Sequence, residues 1–181
     1  MKQEPFASLP LETLMRSEGF DCACGKHHAV TPLKKVLLGE GVIGQLPEAL
    51  RAAEITRPLL VADPNTMQAA GLSAQDALNR AGIPYGVCLL DTSHPEPDER
   101  SVGAVTLALD GRKYDGLLAV GSGVINDICK VVCRAARLPQ TTVATAPSMD
   151  GYASAGSPIL FDGSFHEAEA ADGVFAAVSA D

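Results

Sequence analysis

At 181 residues the chain is long enough to bury one sizeable core, and its length favours one domain. A net charge of −8, with 14 Lys and Arg scattered and never more than two together, argues against nucleic acid and acidic membrane surfaces, and no apolar run approaches the roughly 20 residues that cross a bilayer. The composition, 46% hydrophobic with 17 Gly, 12 Pro and no Trp, is that of a soluble α/β domain; Met1-Lys2-Gln3-Glu4-Pro5 is no signal peptide, so a cytoplasmic location is expected. Such a compartment disfavours disulfides, and Cys88, Cys129 and Cys133 read as small buried residues.

Leu9 to Met15 carries a helical signal, started by Pro10 and stopped by Gly19. Next comes Phe20-Asp21-Cys22-Ala23-Cys24-Gly25-Lys26-His27-His28. Here Cys22, Cys24 and His28 could supply three zinc ligands around the turn at Gly25. C-x-C is a less favourable spacing than C-x-x-C and no fourth ligand is nearby, so an irregular segment with ordinary packing is the competing reading. Residues 1–32 are therefore expected to form an N-terminal appendage.

From residue 33 the chain alternates. Val36 to Gly39 reads as a strand, Gln45 to Glu54 as a helix, and Arg57 to Asp63 as a strand ending on a carboxylate. Asn65 or Ser73 can cap the next helix, which Gly82 closes before the strand Tyr85 to Leu90. Prolines make Asp91 to Pro97 a loop, and Glu99 to Leu109 is a helix. Strands separated by single helices predict a Rossmann-like parallel sheet with helices on both faces.

The chain is organised around Tyr114 to Ser157. Leu117-Leu118-Ala119-Val120 has the length of a buried parallel strand and breaks at Gly121-Ser122-Gly123; a helix from Val124 to Ala136 follows. Strand, glycine turn and helix start fall in the order a phosphate site needs, so Gly121, Ser122 and Gly123 are expected to hold a pyrophosphate. Asn126 and Asp127 lie near the start of that helix and are expected to point toward the cleft. Lys130, one turn later, could pair with Asp127 or be solvated. A second strand, Thr141 to Thr145, leads into Ala146-Pro147-Ser148-Met149-Asp150-Gly151-Tyr152-Ala153-Ser154, which should bring Asp150 to the same crevice. Asp63, at the carboxyl end of its strand, is placed to accept hydrogen bonds from the adenine-ribose hydroxyls, with Asn65 and Thr66 in the same loop; its charge favours NAD over NADP. A turn or helix-capping aspartate is the competing reading.

The pairing of GSGVINDICK with TVATAPSMDGYAS resembles the sn-glycerol-1-phosphate dehydrogenase branch of the superfamily that also holds iron-containing alcohol dehydrogenases, glycerol dehydrogenase and dehydroquinate synthase. The likeness spans roughly residues 20 to 162, and a GxG alone would be weak. It implies an oxidoreductase that uses NAD, or NADP, to reduce dihydroxyacetone phosphate to sn-glycerol 1-phosphate. Asp150 is implied as one ligand of a catalytic divalent metal (zinc, nickel or iron), with two histidines from a helical second domain completing the set. Asp127 is implied near the nicotinamide and substrate; Asn126, Thr145, Ser148 and Ser154 join the cofactor-binding set. The C-x-C-G-x-x-H segment has counterparts in similar bacterial proteins without giving the catalytic metal.

The dinucleotide-binding domain is expected to run from 33 to 163. The alanine-rich acidic residues 164–181 read as an atypical tail, a truncation scar or a frameshifted reading, and the helical domain as missing. Implied partners are a small phosphorylated substrate and, in a homo-oligomer, further copies of the chain. The competing functions are a non-catalytic nucleotide-binding half-enzyme, a Cys/His metal-binding module, and another polyol or alcohol dehydrogenase of the same superfamily.

Overall fold

A computed structural model describes residues 20–21, 24–28, 33–92, 94–110, 113–149, 151–154, 156–169 and 176–179. The helix expected at Leu9 to Met15 lies outside them, as do Cys22 and Asp150.

Six parallel strands form the main sheet, in the order β3-β10-β7-β6-β4-β5. They are β3 (Lys35–Leu37), β4 (Pro58–Ala62), β5 (Gly86–Leu89), β6 (Gly116–Gly121), β7 (Gln140–Ala144) and β10 (Ala176–Ser179). Two antiparallel hairpins stand apart: β1 (Phe20–Asp21) with β2 (His27–His28), and β8 (Gly156–Phe161) with β9 (Ser164–Glu169). The principal helices are α1 (Leu46–Ala52), the short α2 (Pro64–Thr66), which continues through a π turn into α3 (Leu72–Arg80), α4 (Glu99–Leu109) and α5 (Gly123–Ala136).

β4 and β6 are buried along their whole length, as expected of parallel strands covered on both faces. Their side chains alternate between two cores. Leu60, Ala62, Leu118 and Val120 pack with Leu46, Leu50, Ala74 and Leu78 of α1 and α3. Leu59, Val61, Leu117 and Ala119 pack with Val105, Leu109, Ile128 and Val132 of α4 and α5. Period-two strands and helices with one apolar stripe can satisfy each other only in this layered way. Cys88, Cys129 and Cys133 are buried in the second core, where desolvation pushes their thiols up.

Helix ends follow local chemistry. Asp98 caps α4, its carboxylate accepting from the Ser101 N–H at 2.8 Å. Gly82, at φ 66°, turns the chain away from α3 in the left-handed conformation that side chains resist. At the amino edge of the sheet, Asp115 accepts from the backbone N–H groups of Thr56 at 2.9 Å and Arg57 at 2.8 Å, which ties the start of β6 to the start of β4.

The sheet does not end where a domain boundary at residue 163 would put it. Ser164–Glu169 is the second strand of the β8–β9 hairpin, and Ala176–Ser179 is inserted between β3 and β7, parallel to both. The acidic, alanine-rich composition of 164–181 hides this because a four-residue strand needs only a short run of small and apolar residues when its hydrogen bonds are supplied from both sides.

Removing residues 170–181 should therefore strip the ladder from one edge of β7 and detach β3. We expect the truncated chain to melt about 10 °C or more below the full chain, or to lose its cooperative transition. Thermal circular dichroism of the two chains provides the check.

Candidate functional site

The helix following β4 packs on one face of the sheet and the helix following β6 on the other, although β4 and β6 are hydrogen-bonded neighbours. Such a reversal opens a crevice at the carboxyl ends of the two strands. Asp63 and Gly121 stand on its two sides.

α5 begins at Gly123, directly after β6, and its first turn carries no acidic side chain. Ser122 holds the N-cap position with extended backbone, yet its hydroxyl does not cap the helix. The first N–H groups of a 14-residue helix thus keep their anion-binding capacity. The two glycines have different reasons. A Cβ on Gly121 would lie 2.7 Å from Cβ of Ile125, so this glycine is required by the landing of α5 on its own strand. A Cβ on Gly123 would meet only Met149 Cγ, at an ordinary 3.6 Å.

Asp63, Asn65 and Thr66 do not form an open ribose-binding edge. One Asp63 carboxylate oxygen accepts from the N–H groups of Asn65 at 2.7 Å and Thr66 at 3.0 Å, and the Thr66 hydroxyl accepts from the Asp63 N–H at 3.0 Å. This capping box buries Asp63 to 5% exposure. The capping reading of Asp63-Pro64-Asn65-Thr66 is the one the geometry bears, with the cap on Asp63 rather than on Asn65 or Ser73.

Asn126 does not point into the cleft. It is fully buried, its Oδ1 accepting from Gln140 Nε2 at 3.0 Å and Thr142 Oγ1 at 3.1 Å, and its Nδ2 donating to the Gly151 carbonyl at 3.4 Å. Helical position alone could not reveal this, because its partners come from β7 and the loop beyond. Thr145 is half-buried and its N–H donates to the Gly121 carbonyl at 3.2 Å, while Ser148 is exposed on the turn that follows. The Ser154 hydroxyl is held within its own loop, 2.9 Å from the Gly151 carbonyl and 3.0 Å from that of Gly156.

Lys130 is neither solvated nor confined to Asp127. Its side chain is fully buried, and Nζ donates to the Gly151 carbonyl at 2.6 Å, Ser154 Oγ at 2.9 Å and the Gly156 carbonyl at 3.4 Å. Asp127 Oδ1 lies 3.7 Å away and also receives a hydrogen bond from Ser157 Oγ at 3.4 Å. Burial pushes the Asp127 carboxyl up to about 6, against the opposing pull of Lys130 and Ser157. Burial likewise draws Lys130 below the ordinary lysine range, while Asp127 raises it. Tyr152 was equally invisible in the sequence; its hydroxyl lies 3.1 Å from the Ala146 carbonyl and 3.4 Å from that of Gly121.

At the carboxyl end of β5 a cavity of about 530 Å³ is lined by Leu90, Asp91, His94, Asp98 and Ser101 among others. Among the described residues no group of three His, Cys, Asp or Glu stands close enough to hold a metal ion. Cys24 is exposed, and His27 pairs with Asp21 at 2.9 Å across the β1–β2 hairpin. Also among the described residues, no helix is long and apolar enough to cross a membrane.

The sequence profile described as iron-containing alcohol dehydrogenase matches residues 37–179, and the chain belongs to this family. The match includes β9 and β10. Among curated relatives, the glycerol-1-phosphate dehydrogenase [NAD(P)+] of Geobacillus stearothermophilus is 35% identical over 145 residues, which are 78% of this chain and 36% of the relative. That of Archaeoglobus fulgidus is 28% identical over 119 residues, 66% of this chain and 32% of the relative. The chain thus spans about a third of the length of the curated relatives it matches. Solved structures share the fold. NADH-dependent butanol dehydrogenase A of Thermotoga maritima superposes with a TM-score of 0.70 at 17% identity, covering 82% of this chain and 43% of that one. Sulfoacetaldehyde reductase of Bifidobacterium kashiwanohense in complex with NAD+ does so with 0.68 at 14%, covering 83% and 45%.

Two outcomes follow from this geometry. Asp63→Ala should lower stability by about 1 kcal/mol, read as a fall of roughly 2–4 °C in thermal midpoint without any cofactor present, because it removes a helix cap. The folded Asp127 pKa, about 6, is raised above the unfolded value near 3.8, so the folded state binds the proton more tightly. This group's contribution should fall as pH rises from about 4 to 6 and level off above, by on the order of 3 kcal/mol. Asp127→Asn should flatten that part of the profile, as measured by urea denaturation across the range.

Proposed function

We propose that this chain forms the dinucleotide-binding part of an NAD(P)- and metal-dependent oxidoreductase that reduces dihydroxyacetone phosphate to sn-glycerol 1-phosphate. The observation that carries the proposal is the uncapped, acid-free start of α5 at the crevice between β4 and β6. The names of the relatives supply glycerol 1-phosphate as the substrate and either NAD or NADP as the cofactor.

In this reading the N–H groups of the first turn of α5 take the pyrophosphate, with Ser122 beside them. The cavity beyond β5 receives the adenine end, and the cap turn at Asp63 borders the ribose. Thr145, Ser148 and Asp127 line the nicotinamide and substrate side. Bound nicotinamide supplies the hydride; the chain's part is to orient its ring and to exclude water. The divalent metal implied by the family, zinc, nickel or iron, needs ligands beyond the described residues, Asp150 among them. The protein is taken to act in the cytoplasm on a small phosphorylated substrate, alone or as a homo-oligomer.

A second reading is a nucleotide-binding half-enzyme without turnover, which rests on the anion site at the start of α5 alone. Fluorescence titration with NADH, followed by assay with dihydroxyacetone phosphate and added zinc or nickel, separates the two. Turnover abolished by Asp150→Ala supports the enzyme, and NADH binding without turnover supports the half-enzyme.

Gly123→Glu tests the anion site itself. Its Cβ would meet Met149 Cγ at an ordinary 3.6 Å, and the substitution adds a carboxylate in the first turn of the helix. NADH affinity should fall at least about tenfold while the thermal midpoint stays within about 2 °C. Gly121→Val would be uninformative here, since it drives a methyl group into Ile125 and disturbs the fold.

A further inference from the structure

We propose that Lys130 is a positioning residue whose buried ammonium fastens the loop between β7 and β8, the segment that bears Asp150, to α5 at the mouth of the crevice. The inference rests on the functional reading above, but the fastening itself is measurable without turnover.

A fully buried lysine needs an electrostatic reason. A methionine would fill nearly the same volume with no charge to desolvate, and taking an ammonium out of water costs several kcal/mol unless its donors are matched. Among the described residues the donors are matched in number. Three donors meet three oxygens: the Gly151 carbonyl at 2.6 Å, Ser154 Oγ at 2.9 Å and the Gly156 carbonyl at 3.4 Å, with Asp127 supplying the nearby negative charge at 3.7 Å.

All three oxygens belong to one short stretch. Gly151 opens a 3-10 turn one residue after Asp150, and Gly156 begins β8. Both ends of that stretch are thus gathered on a single nitrogen of α5, the helix that also presents the anion site. Asn126 Nδ2 reaches the same Gly151 carbonyl at 3.4 Å, and Tyr152 joins the Ala146 turn to the end of β6. Among the described residues of this loop no apolar side chain is fully buried, and these polar contacts tie it to α5 and β6. Without the ammonium, three acceptors that now meet one donor group lose it, and the loop's opening equilibrium shifts.

Hydrogen–deuterium exchange of the full chain, with and without NADH, provides the test. In Lys130→Met, peptides covering 146–157 should exchange at least about tenfold faster, while those of β4 and β6 change by less than about twofold. Lys130→Arg keeps a donor-bearing cation and should recover most of the protection, which a requirement for mere bulk would not produce. Ser154→Ala removes one acceptor without emptying the core, and should speed loop exchange by about two- to fivefold even if Lys130→Met fails to fold. Unchanged loop exchange in Lys130→Met, equal acceleration across the sheet, an arginine variant no better than methionine, or a silent Ser154→Ala would each overturn the assignment. Failure of the wild-type chain to bind NADH would sink the functional reading and leave the exchange result standing.

Discussion

The site depends on the missing side chain of Gly121. Because nothing projects from its Cα, Ile125 can lie against the strand, and α5 starts within one residue of the end of β6. That close landing aims the helix's unpaired N–H groups at the crevice instead of at the side of the sheet. It also sets the direction of everything further along α5. Ile128, Cys129, Val132 and Cys133 enter the core, and Asn126, Asp127 and Lys130 come under the loop after β7.

Polar burial beneath that loop is extensive for a parallel sheet. Gln140, Thr141 and Thr142 are buried on β7, and Asn126 joins two of them to the loop. Among the described residues, Gln140 Oε1 and Thr141 Oγ1 find no hydrogen-bond partner. An apolar core would have served stability as well or better. What the polar groups add is direction, since each hydrogen bond specifies one arrangement of helix, strand and loop.

Much of the architecture was legible because it follows from periodicity. β4, β6 and α5 stood out as buried apolar runs or as one-sided stripes, and α4 ran from Glu99 to Leu109 as expected. Short strands paired across long sequence separations were not legible: β10 carries no signal apart from its neighbours. At the site, Asp63 shows how one residue type serves two purposes, since an aspartate after a strand can meet a ribose or its own helix, and only backbone geometry decides. The pairing of Lys130 with Asp127 was legible, but its burial and its loop partners were not, because these lie 21 to 26 residues away. The available signal was its place one turn after Asn126, on a helix whose other inward positions are apolar.

The interior place of β10 bears on how the protein is made. A strand formed by residues 176–179 separates β3, near residue 36, from β7, so the sheet cannot be completed in the order of synthesis. Until those residues leave the ribosome, β7 presents an unpaired edge and β3 has no neighbour. A nascent chain in that state offers other chains a template for strand addition. Assembly is thus expected to be slow and late, dominated by a pairing across almost the whole described chain, and to benefit from a chaperone that shields the open edge during translation.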